Sequence, residues 1–311
     1  MVFQPRFAVF FVALLAYNAS ARKVRPLFIL KHLSNSREHV EKALKNGANG
    51  IEVDLRFKNS GKPSHFFHGT NCNCGIDKQC WCKSPYECEQ RENSVPTFLQ
   101  YFRNISTPGS IYYHPSFTGF VWLDLKILST KQNYLRNGGI GLADILVDDV
   151  FNKDDKGSRA VFGLELYFMK RTYFMKALVD QLRKRNREDI IKNHIIAIVT
   201  VDFLEEYLRE YKDSTPAVWL SDGNNDCEAH DVSESKARRM VGYRENANTV
   251  AVKKATEWVL DSKRRIREGL RYDVDLIMTN FPARVVEVLK EPEFYPLYRL
   301  ATYLDSPNER I

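Results

Sequence analysis

Short apolar runs recur along this chain and alternate with longer segments in which apolar residues follow a helical period. The runs have the length of strands and are rich in Ile, Val, Leu and Phe, a composition typical of buried strands. About eight such runs lie at residues 27–30, 51–57, 120–125, 160–166, 195–201, 217–220, 256–260 and 276–279. Alternation of this kind predicts parallel strands joined by crossover helices.

The segments between the runs indicate where helices are expected. Helical periodicity is found at residues 37–45, 142–151, 173–183, 203–211, 263–270 and 283–289. Asp261 and Ser262 can cap the helix that starts at Lys263, and Pro282 stands at the start of the next one. A chain of 311 residues with about eight strands favours a closed (β/α)₈ barrel, the TIM barrel of the α/β class, over an open sheet. No repeat or linker divides the sequence, so we expect one domain.

The N-terminus has the pattern of an export signal. Arg6 supplies the positive flank, residues 7–17 are apolar, and residues 19–21 (Ala-Ser-Ala) are small enough for cleavage. The apolar run is too short to span a bilayer, and a buried first helix is the weaker interpretation because the run begins almost at the first residue. We therefore expect a signal peptide at residues 1–21 and a secreted, extracellular domain at residues 22–311.

The cysteines are concentrated in a polar segment, residues 58–95, which breaks the alternation of strands and helices. Five of the six lie in it, and the full set is Cys72, Cys74, Cys80, Cys82, Cys88 and Cys227. An even number in an exported chain favours three disulfides, so we expect a disulfide-stapled loop over one mouth of the barrel. A zinc cluster ranks second, because the two Cys-x-Cys pairs are spaced more closely than zinc ligands usually are.

The net charge and the surface motifs give no support to a nucleic-acid partner and leave a membrane surface open as a partner. The net charge of +7 is mild for this length, and no motif for nucleic-acid binding is present. A basic surface would help an exported protein to approach an anionic membrane. Asn104 begins the glycosylation sequon Asn-Ile-Ser in a polar stretch where we expect a surface loop.

Three carboxylates lie near the ends of two predicted strands. Glu52 and Asp54 stand two residues apart in an apolar run, so both side chains point to the same face of a strand, and Asp124 lies on the next strong strand. Acidic side chains among Ile, Val and Leu are costly to bury unless a cation offsets their charge. Oxygen ligands favour one Mg²⁺ ion, with Ca²⁺ as the alternative.

Two histidines are expected at the same rim as these carboxylates. His32 follows the first predicted strand and His68 follows the second, and the carboxyl ends of barrel strands converge on one mouth. Beside a metal ion the two imidazoles can divide the proton transfers at a phosphodiester. Lys126 can contact the phosphate, although an ion pair with Asp124 is nearly as good an explanation for it. Trp258 can pack on a substrate head group, although a strand tryptophan is more often core.

At these residues the chain resembles the sphingomyelinase D family of secreted arachnid proteins, also known as dermonecrotic or phospholipase D toxins, which are related to glycerophosphodiester phosphodiesterases. The similarity spans nearly the whole mature chain. The motifs that carry it are Lys31-His-Leu-Ser-Asn35, Gly50-Ile-Glu-Val-Asp54, Phe67-His-Gly69, Cys72-x-Cys74-Gly75, Leu123-Asp-Leu-Lys126, Trp219-Leu-Ser-Asp-Gly223 with Cys227, Trp258 with Asp261, Ile277-Met-Thr-Asn-Phe-Pro282, and Ala301-Thr-Tyr303 with Asp305 and Pro307.

The resemblance implies a distorted TIM barrel and assigns roles at its mouth. Glu52, Asp54 and Asp124 would ligate Mg²⁺, with His32 as nucleophile or base and His68 as general acid. The implied reaction cleaves the choline side of the phosphodiester in sphingomyelin or lysophospholipids, and the lipid's own hydroxyl closes a cyclic phosphate, which makes the enzyme formally a lyase.

The resemblance also implies how substrate and barrel are held. Lys126, Trp258 and Asn280 would bind the substrate, a choline phospholipid such as sphingomyelin or lysophosphatidylcholine at a membrane surface. The tail from Ala301 resembles the family's plug for the opposite end of the barrel. We expect the protein to act as a monomer.

Several positions depart from the family pattern. Lys31 stands where the family usually has glycine, so its side chain could crowd or electrostatically perturb the site, and Thr256 stands where an aromatic residue is common. The cysteine loop is longer than usual; by resemblance Cys74 would pair with Cys227, and Cys72 with Cys80, Cys82 or Cys88. Two alternatives therefore stay open: a glycerophosphodiester phosphodiesterase that uses water, and a secreted lipid-binding protein that has lost turnover.

Overall fold

The computed structural model describes residues 24–68, 90–152, 157–166, 172–211, 216–223, 233–246, 248–249 and 251–310. The strands in this part of the chain are β1 (Arg25–Lys31), β2 (Gly50–Phe57), β3 (Pro63–Phe67), β4 (Arg91–Glu92), β5 (Phe120–Lys126), β6 (Val161–Leu166), β7 (Ile195–Thr200), β8 (Ala217–Gly223), β9 (Val252–Trp258), β10 (Leu276–Thr279) and β11 (Tyr298–Leu300). The α-helices are α1 (Arg37–Lys45), α2 (Val95–Ser106), α3 (Gln132–Ile145), α4 (Thr172–Lys184), α5 (Glu188–His194), α6 (Leu204–Glu210), α7 (Glu234–Glu245), α8 (Lys263–Arg271) and α9 (Pro282–Leu289).

Eight parallel strands close into a barrel. They follow each other in the order β1, β2, β5, β6, β7, β8, β9 and β10, and β10 pairs with β1 again. The register at closure places Phe28 beside Leu276 and Leu30 beside Gly50. Because each connection between parallel strands must cross the outside of the sheet, helices lie in the layer around the strands. The predicted TIM-barrel class is confirmed.

Alternation along each strand separates the inside of the barrel from the helix layer. On β1, Leu27 and Ile29 pack against the outer helices, whereas Phe28 and Leu30 belong to the apolar cluster inside the barrel. Phe120 and Trp219 stack at 4.2 Å between ring centroids in that interior. Large aromatic side chains therefore fill the middle of the barrel.

The predicted helices and strands agree with the structure except where small or charged residues interrupt the pattern. Residues 142–151 were predicted as a separate helix, but they continue α3 and a π-helical turn, Leu146–Val150. The glycines in α3 weaken its helical signal. One of them is required by the close packing of α3 on α4, because a Cβ on Gly139 would lie 2.2 Å from the carbonyl oxygen of Phe174. The strand predicted at 256–260 lies instead at Val252–Trp258, because two lysines hide its first half.

The polar segment at residues 58–95 was predicted as a loop, but both of its ends contain a strand. Strand β3 pairs antiparallel with β2, and the short β4 pairs with β3, so β2 extends into a small antiparallel sheet beside the mouth. All six cysteines lie outside the described residues, as do the predicted signal peptide, the expected disulfides and the alternative zinc cluster.

Asn104 lies in helix α2 and not in the surface loop that was predicted. Ser94 caps this helix by accepting a hydrogen bond from the backbone N–H of Thr97, and Phe98 and Phe102 lie on its buried face. The half-buried Asn104 side chain is therefore presented from the last turn of a packed helix. The apolar spacing of residues 98, 99, 102 and 105 is the helical signal that the polar residues between them obscured.

The amino end of the barrel is closed by the residues that follow β11. Ala301 is buried in the interior cluster, Trp219 Nε1 donates a hydrogen bond of 2.9 Å to the Pro307 carbonyl, and Lys254 Nζ donates one of 2.6 Å to the Glu309 carbonyl. The tail therefore plugs the end opposite the carboxyl ends of the strands, as the resemblance implied. No described helix has the length and apolar character needed to cross a membrane.

Candidate metal centre and active site

Three carboxylates meet at the carboxyl ends of neighbouring strands β2 and β5. The register sets Asp54 directly beside Asp124, and Glu52 points to the same face as Asp54 two residues earlier. One oxygen from each carboxylate lies within 4.8 Å of the other two. Glu52 and Asp54 are buried and Asp124 is partly exposed. Such a set of oxygen donors can hold a metal ion, as the spacing of these residues predicted.

The turn after β1 fixes two of these carboxylates from behind. The backbone N–H of Leu33 donates a hydrogen bond of 2.6 Å to Glu52 Oε2, and Asn35 Nδ2 donates one of 2.6 Å to Asp54 Oδ2. Asn35 Oδ1 also accepts from the Asp54 N–H at 2.8 Å. Leu33 has a φ of +60°, which few branched side chains adopt, and this conformation belongs to the turn that brings its N–H to Glu52. The candidate ligands are therefore oriented by the fold itself.

The charge at this site is not balanced by the protein. Lys126 Nζ lies 2.9 Å from Asp54 Oδ1 and also contacts Asp124, so both predicted roles of Lys126 remain compatible with its position. Burial alone would lower the pKa of Lys126, but the two aspartates outweigh it and raise that pKa. Burial, followed by the charges of Asp54 and Asp124, raises the pKa of Glu52 well above its usual value. Three carboxylates around one ammonium thus leave negative charge that a divalent cation would offset.

His32 is held at one flank of the carboxylates by a chain of hydrogen bonds. Its backbone N–H donates to the Thr279 carbonyl at 3.0 Å, and its Nδ1 lies 3.2 Å from Asn280 Oδ1. Asn280 Nδ2 donates to Asp261 Oδ2 at 2.8 Å, which fixes the orientation of the amide. Because the amide oxygen can only accept, Nδ1 of His32 carries the hydrogen and Nε2 keeps a lone pair.

The electrostatic surroundings keep His32 neutral. Burial, together with the charges of Lys31, His68 and Lys126, lowers the pKa of His32 to about 3. A neutral imidazole with a free lone pair on Nε2 has the form that a base requires.

His68 lies just beyond β3, where the charges of Asp54 and Asp124 act on its imidazole. The carbonyl of His68 accepts a hydrogen bond from Arg56 Nη2, and the carbonyl of Phe67 accepts one of 2.9 Å from Arg56 Nε. Burial lowers the pKa of His68, and the charge of Asp54 opposes that shift. Its Nδ1 is buried with no hydrogen-bond partner among the described residues. The structure therefore brings His32, His68 and the three carboxylates to one mouth, as the strand ends predicted.

Trp258 lies at the same mouth, at the end of β9. Its Nε1 donates a hydrogen bond of 3.2 Å to Ser221 Oγ, and its ring is partly exposed. β8 and β9 approach closely here, since a Cβ on Gly223 would lie 1.6 Å from the Trp258 carbonyl oxygen. Thr256 is fully buried one layer below, with its hydroxyl bonded to the Leu220 carbonyl at 2.9 Å. Trp258 can therefore contact a ligand at the mouth, whereas Thr256 belongs to the barrel wall.

The departure at Lys31 does not crowd the mouth. Lys31 is on the outer face of β1, where its Nζ donates a hydrogen bond of 2.5 Å to the His32 carbonyl. Its side chain lines a groove between α1 and α9, outside the barrel. The effect of Lys31 on the site is therefore electrostatic, through the lowered pKa of His32.

No role at this end of the barrel was predicted from the sequence for three groups, although Asn35 and Asp261 stand in the motifs of the resemblance; Asp261 was predicted only as a cap, and the residue that caps α8 is Ser262. Asn35 and Asp261 orient Asp54 and Asn280, but their partners are distant in sequence. Glu165 is buried on β6. It lies on the same face of the strand as Gly163, where an added Cβ would contact Phe120 in the barrel interior, so Glu165 also faces the interior. The signal for Glu165 in the sequence is an acidic residue within an apolar strand, residues 160–166.

Comparison with known proteins agrees with the resemblance. The family model described as dermonecrotic toxin SPH matches residues 22–308. A dermonecrotic toxin of Loxosceles intermedia is 31% identical over 295 residues, which are 92% of this chain and 89% of that protein. A dermonecrotic toxin of Loxosceles spinulosa is 29% identical over 284 residues, 91% of this chain and 98% of that protein. A dermonecrotic toxin of Sicarius terrosus is 29% identical and covers 92% of this chain and 99% of its own length.

Among solved structures, a phosphodiesterase of Oleispira antarctica in complex with the product sn-glycerol-3-phosphate aligns with a TM-score of 0.49 at 10% identity, covering 85% of this chain and 97% of that one. The assignment rests on the family model and the sequence relatives, which extend over nearly the whole chain. The chain therefore belongs to the dermonecrotic toxin family and is a phosphodiesterase of the phospholipase D type.

Proposed function

We propose that the protein is a secreted, Mg²⁺-dependent phospholipase D-like lyase that cleaves sphingomyelin and lysophospholipids, releases choline and leaves a cyclic phosphate. One observation carries the proposal: three carboxylate oxygens within 4.8 Å of one another lie at the carboxyl ends of the barrel strands, at the same mouth as His32 and His68. Membership of the dermonecrotic toxin family supports the same class of reaction.

Glu52, Asp54 and Asp124 would hold the Mg²⁺ ion. Their oxygens, two of them buried and oriented by hydrogen bonds, suit a hard cation that keeps part of its shell for water or phosphate. When bound, the ion would offset negative charge on the phosphoryl oxygens. Lys126, between Asp54 and Asp124, would place a further positive charge beside the same oxygens.

His32 and His68 would carry the two proton transfers. Nε2 of His32 would accept the proton of the lipid's own hydroxyl as its oxygen forms a bond to phosphorus. The bond from phosphorus to the choline oxygen would then break, and His68 would donate the proton that this oxygen takes up. The neutral form of His32, which its burial favours, suits the role of base.

Trp258 and Asn280 would position the substrate. The partly exposed indole of Trp258 at the mouth can take the quaternary ammonium of choline on its ring face. Asn280 is bonded to both His32 and Asp261, so it would align the base more than it would bind the lipid. We therefore expect choline phospholipids in a membrane as the substrate, and a monomer as the active form.

Mass spectrometry of the lipid products tests the reaction. Sphingomyelin and lysophosphatidylcholine are incubated with Mg²⁺ or EDTA and with the His32→Asn, His68→Asn and His65→Asn variants. A cyclic phosphate product that requires Mg²⁺ and both His32 and His68 supports the proposal. His65 lies on β3 with its Nδ1 bonded to Ser64 Oγ at 2.8 Å, so its variant is the matched control and should keep its activity.

The other outcomes identify the alternatives. A linear phosphate as the first product, with the same dependence on metal and histidines, would indicate a glycerophosphodiester phosphodiesterase that uses water. Vesicle binding without any choline release, unchanged in the His32→Asn variant, would indicate a lipid-binding protein without turnover.

Secretion is proposed from the predicted signal and from relatives that are named toxins. Expression of the full chain in a secreting host, followed by N-terminal sequencing of the protein in the medium, tests it. A mature chain that begins near Arg22 supports the proposal, and a protein retained in the cell with its first residues intact contradicts it.

A further inference from the structure

A basic groove lies outside the barrel, between α1 and α9, with a volume of about 390 Å³. We call it the α1–α9 groove. Lys31, Lys42 and Arg284 line it together with Asn280 and Phe281, and no acidic side chain is among the described residues that form its walls. A cavity lined by three cations and by no acidic side chain among the described residues favours an anion as its occupant.

Two of the cations are fixed in position by the protein. Lys31 Nζ donates to the His32 carbonyl at 2.5 Å, and Arg284 Nη1 donates to the Asp261 carbonyl at 2.7 Å. The guanidinium carbon of Arg284 also lies 3.9 Å from the centroid of the Phe281 ring. Positive charge is therefore held at the wall of the groove, so that less side-chain entropy is lost when an anion binds.

The groove also has an apolar side and a position next to the catalytic mouth. Ala43, Phe281, Pro282 and Ala283 contribute to its lining. Asn280 faces the groove and bonds His32 at the mouth, so the two sites share one wall. A ligand with an anionic group and an apolar portion matches this combination better than a free inorganic anion does.

We propose that the α1–α9 groove binds the phosphate head group of an anionic membrane phospholipid, separately from the lipid that is cleaved. Charge complementarity supports this occupant, since the chain carries a net charge of +7 and the groove has three cations. Binding here would hold the neighbouring mouth against the bilayer. The proposal concerns membrane attachment alone, so it does not depend on which reaction the mouth performs.

The test compares two lysines on the same helix. Lys42 and Lys45 are both exposed in the last turn of α1, but Lys42 lines the groove and Lys45 does not. Binding of Lys42→Gln and Lys45→Gln is measured by co-sedimentation with phosphatidylcholine vesicles that contain about 30% phosphatidylserine, and with vesicles of phosphatidylcholine alone. EDTA is present throughout, so that the proposed Mg²⁺-dependent turnover plays no part, and circular dichroism verifies that both variants fold.

We expect Lys42→Gln to weaken binding to the anionic vesicles about fivefold or more, whereas Lys45→Gln changes it less than about twofold. Both should bind phosphatidylcholine vesicles as the unaltered protein does. Equal losses in the two variants would mean that net charge alone attracts the vesicle, and would overturn the proposal. Binding of Lys42→Gln to the anionic vesicles within about twofold of that of the unaltered protein would also overturn it.

Discussion

Asp261 orients His32, the proposed base, through a neighbouring residue, Asn280. Its carboxylate accepts hydrogen bonds from the Asn280 backbone N–H at 2.7 Å, from Asn280 Nδ2 at 2.8 Å and from Thr279 Oγ1 at 2.9 Å. Asn280 in turn bonds His32. In an asparagine at position 261 one carboxylate oxygen is replaced by an NH₂ group, which can only donate. That NH₂ group would face a group that also donates, and we expect Asn280 to turn away from His32 as a result.

We therefore expect Asp261→Asn to lower kcat about tenfold to a hundredfold, with KM changed much less. Steady-state kinetics with sphingomyelin measure both constants. Ser262→Ala is the control next in sequence, because Ser262 only caps α8 by accepting from the Arg265 N–H. It should cost about 1 kcal/mol of stability and leave kcat unchanged. A larger loss of kcat in Ser262→Ala than in Asp261→Asn would contradict this account.

Lys254 links the stability of the protein to pH. It is buried inside the barrel, and burial lowers its pKa from 10.5 to about 8, against the attraction of Asp275. In the unfolded chain Lys254 keeps its proton up to its ordinary pKa of 10.5. Between pH 8 and pH 10.5 the unfolded chain therefore binds more protons than the folded chain does. Stability from this group must therefore rise with pH across that window.

Urea unfolding of the unaltered protein and of Lys254→Met, measured from pH 8 to pH 10.5, tests this sign. The free energy of unfolding of the unaltered protein should rise with pH relative to the variant, by an amount on the order of 3 kcal/mol at most. Parallel curves would show that Lys254 has the same pKa in both states.

At the residue scale, spacing alone predicted which carboxylates lie together at the mouth. Glu52 and Asp54 share a face because a strand has a period of two, and the barrel class placed Asp124 beside them. The supports of these groups could not be predicted, because Asn35 and Asp261 meet partners that lie 19 residues away in sequence. Their contacts depend on the register between strands, which no single segment specifies.

At the scale of elements, the small sheet formed by β3 and β4 positions His68. Arg56 on β2 donates to the carbonyls of both Phe67 and His68, and its guanidinium carbon lies 5.8 Å from the Phe67 ring centroid. Arg91 on β4 lies 5.9 Å from the same centroid. Both arginines therefore contact the Phe67 ring at a similar distance. Arg56 also donates hydrogen bonds to the backbone that carries His68.

We expect Arg56→Gln to lower kcat about tenfold or more and to leave Mn²⁺ affinity, measured by electron paramagnetic resonance, within about threefold. Arg91→Gln should change neither quantity by more than about threefold, because it removes only a ring contact. Equal effects of the two variants on kcat would mean that the hydrogen bonds to the carbonyls do not position His68.

Elements with a strong apolar period were predicted well, and those without one were not. Helix α1 and strand β10 have the predicted bounds, Arg37–Lys45 and Leu276–Thr279. Helix α7 was missed because charged residues dominate it and few of its side chains are buried. The antiparallel β3 was missed because its residues are mostly half-buried and carry no alternation of apolar and polar side chains.

At the scale of the whole molecule, the tail closes the barrel and supports the interior aromatic cluster. Trp219 bonds the Pro307 carbonyl, and removal of the tail would leave that buried indole N–H without a partner and expose Ala301's neighbours to water. We expect deletion of residues 301–311 to lower Tm by about 5 °C or more. Differential scanning calorimetry measures it.

The control is Leu304→Ser, which changes a tail residue that is 74% exposed and should shift Tm by less than about 1 °C. A deletion that left Tm unaltered would contradict the role of the tail as a structural plug.

The plug and the first strand also determine how the protein can be handled. Arg25 begins β1, and Arg310 Nε donates to the carbonyl of Val252, the first residue of β9, at 2.8 Å. Both therefore lie beneath the barrel, while the carboxylates lie at its upper rim. A dye, bead or fusion partner joined near either residue would face away from the mouth, so the protein could be tethered to a sensor chip in one orientation and still meet a supported bilayer.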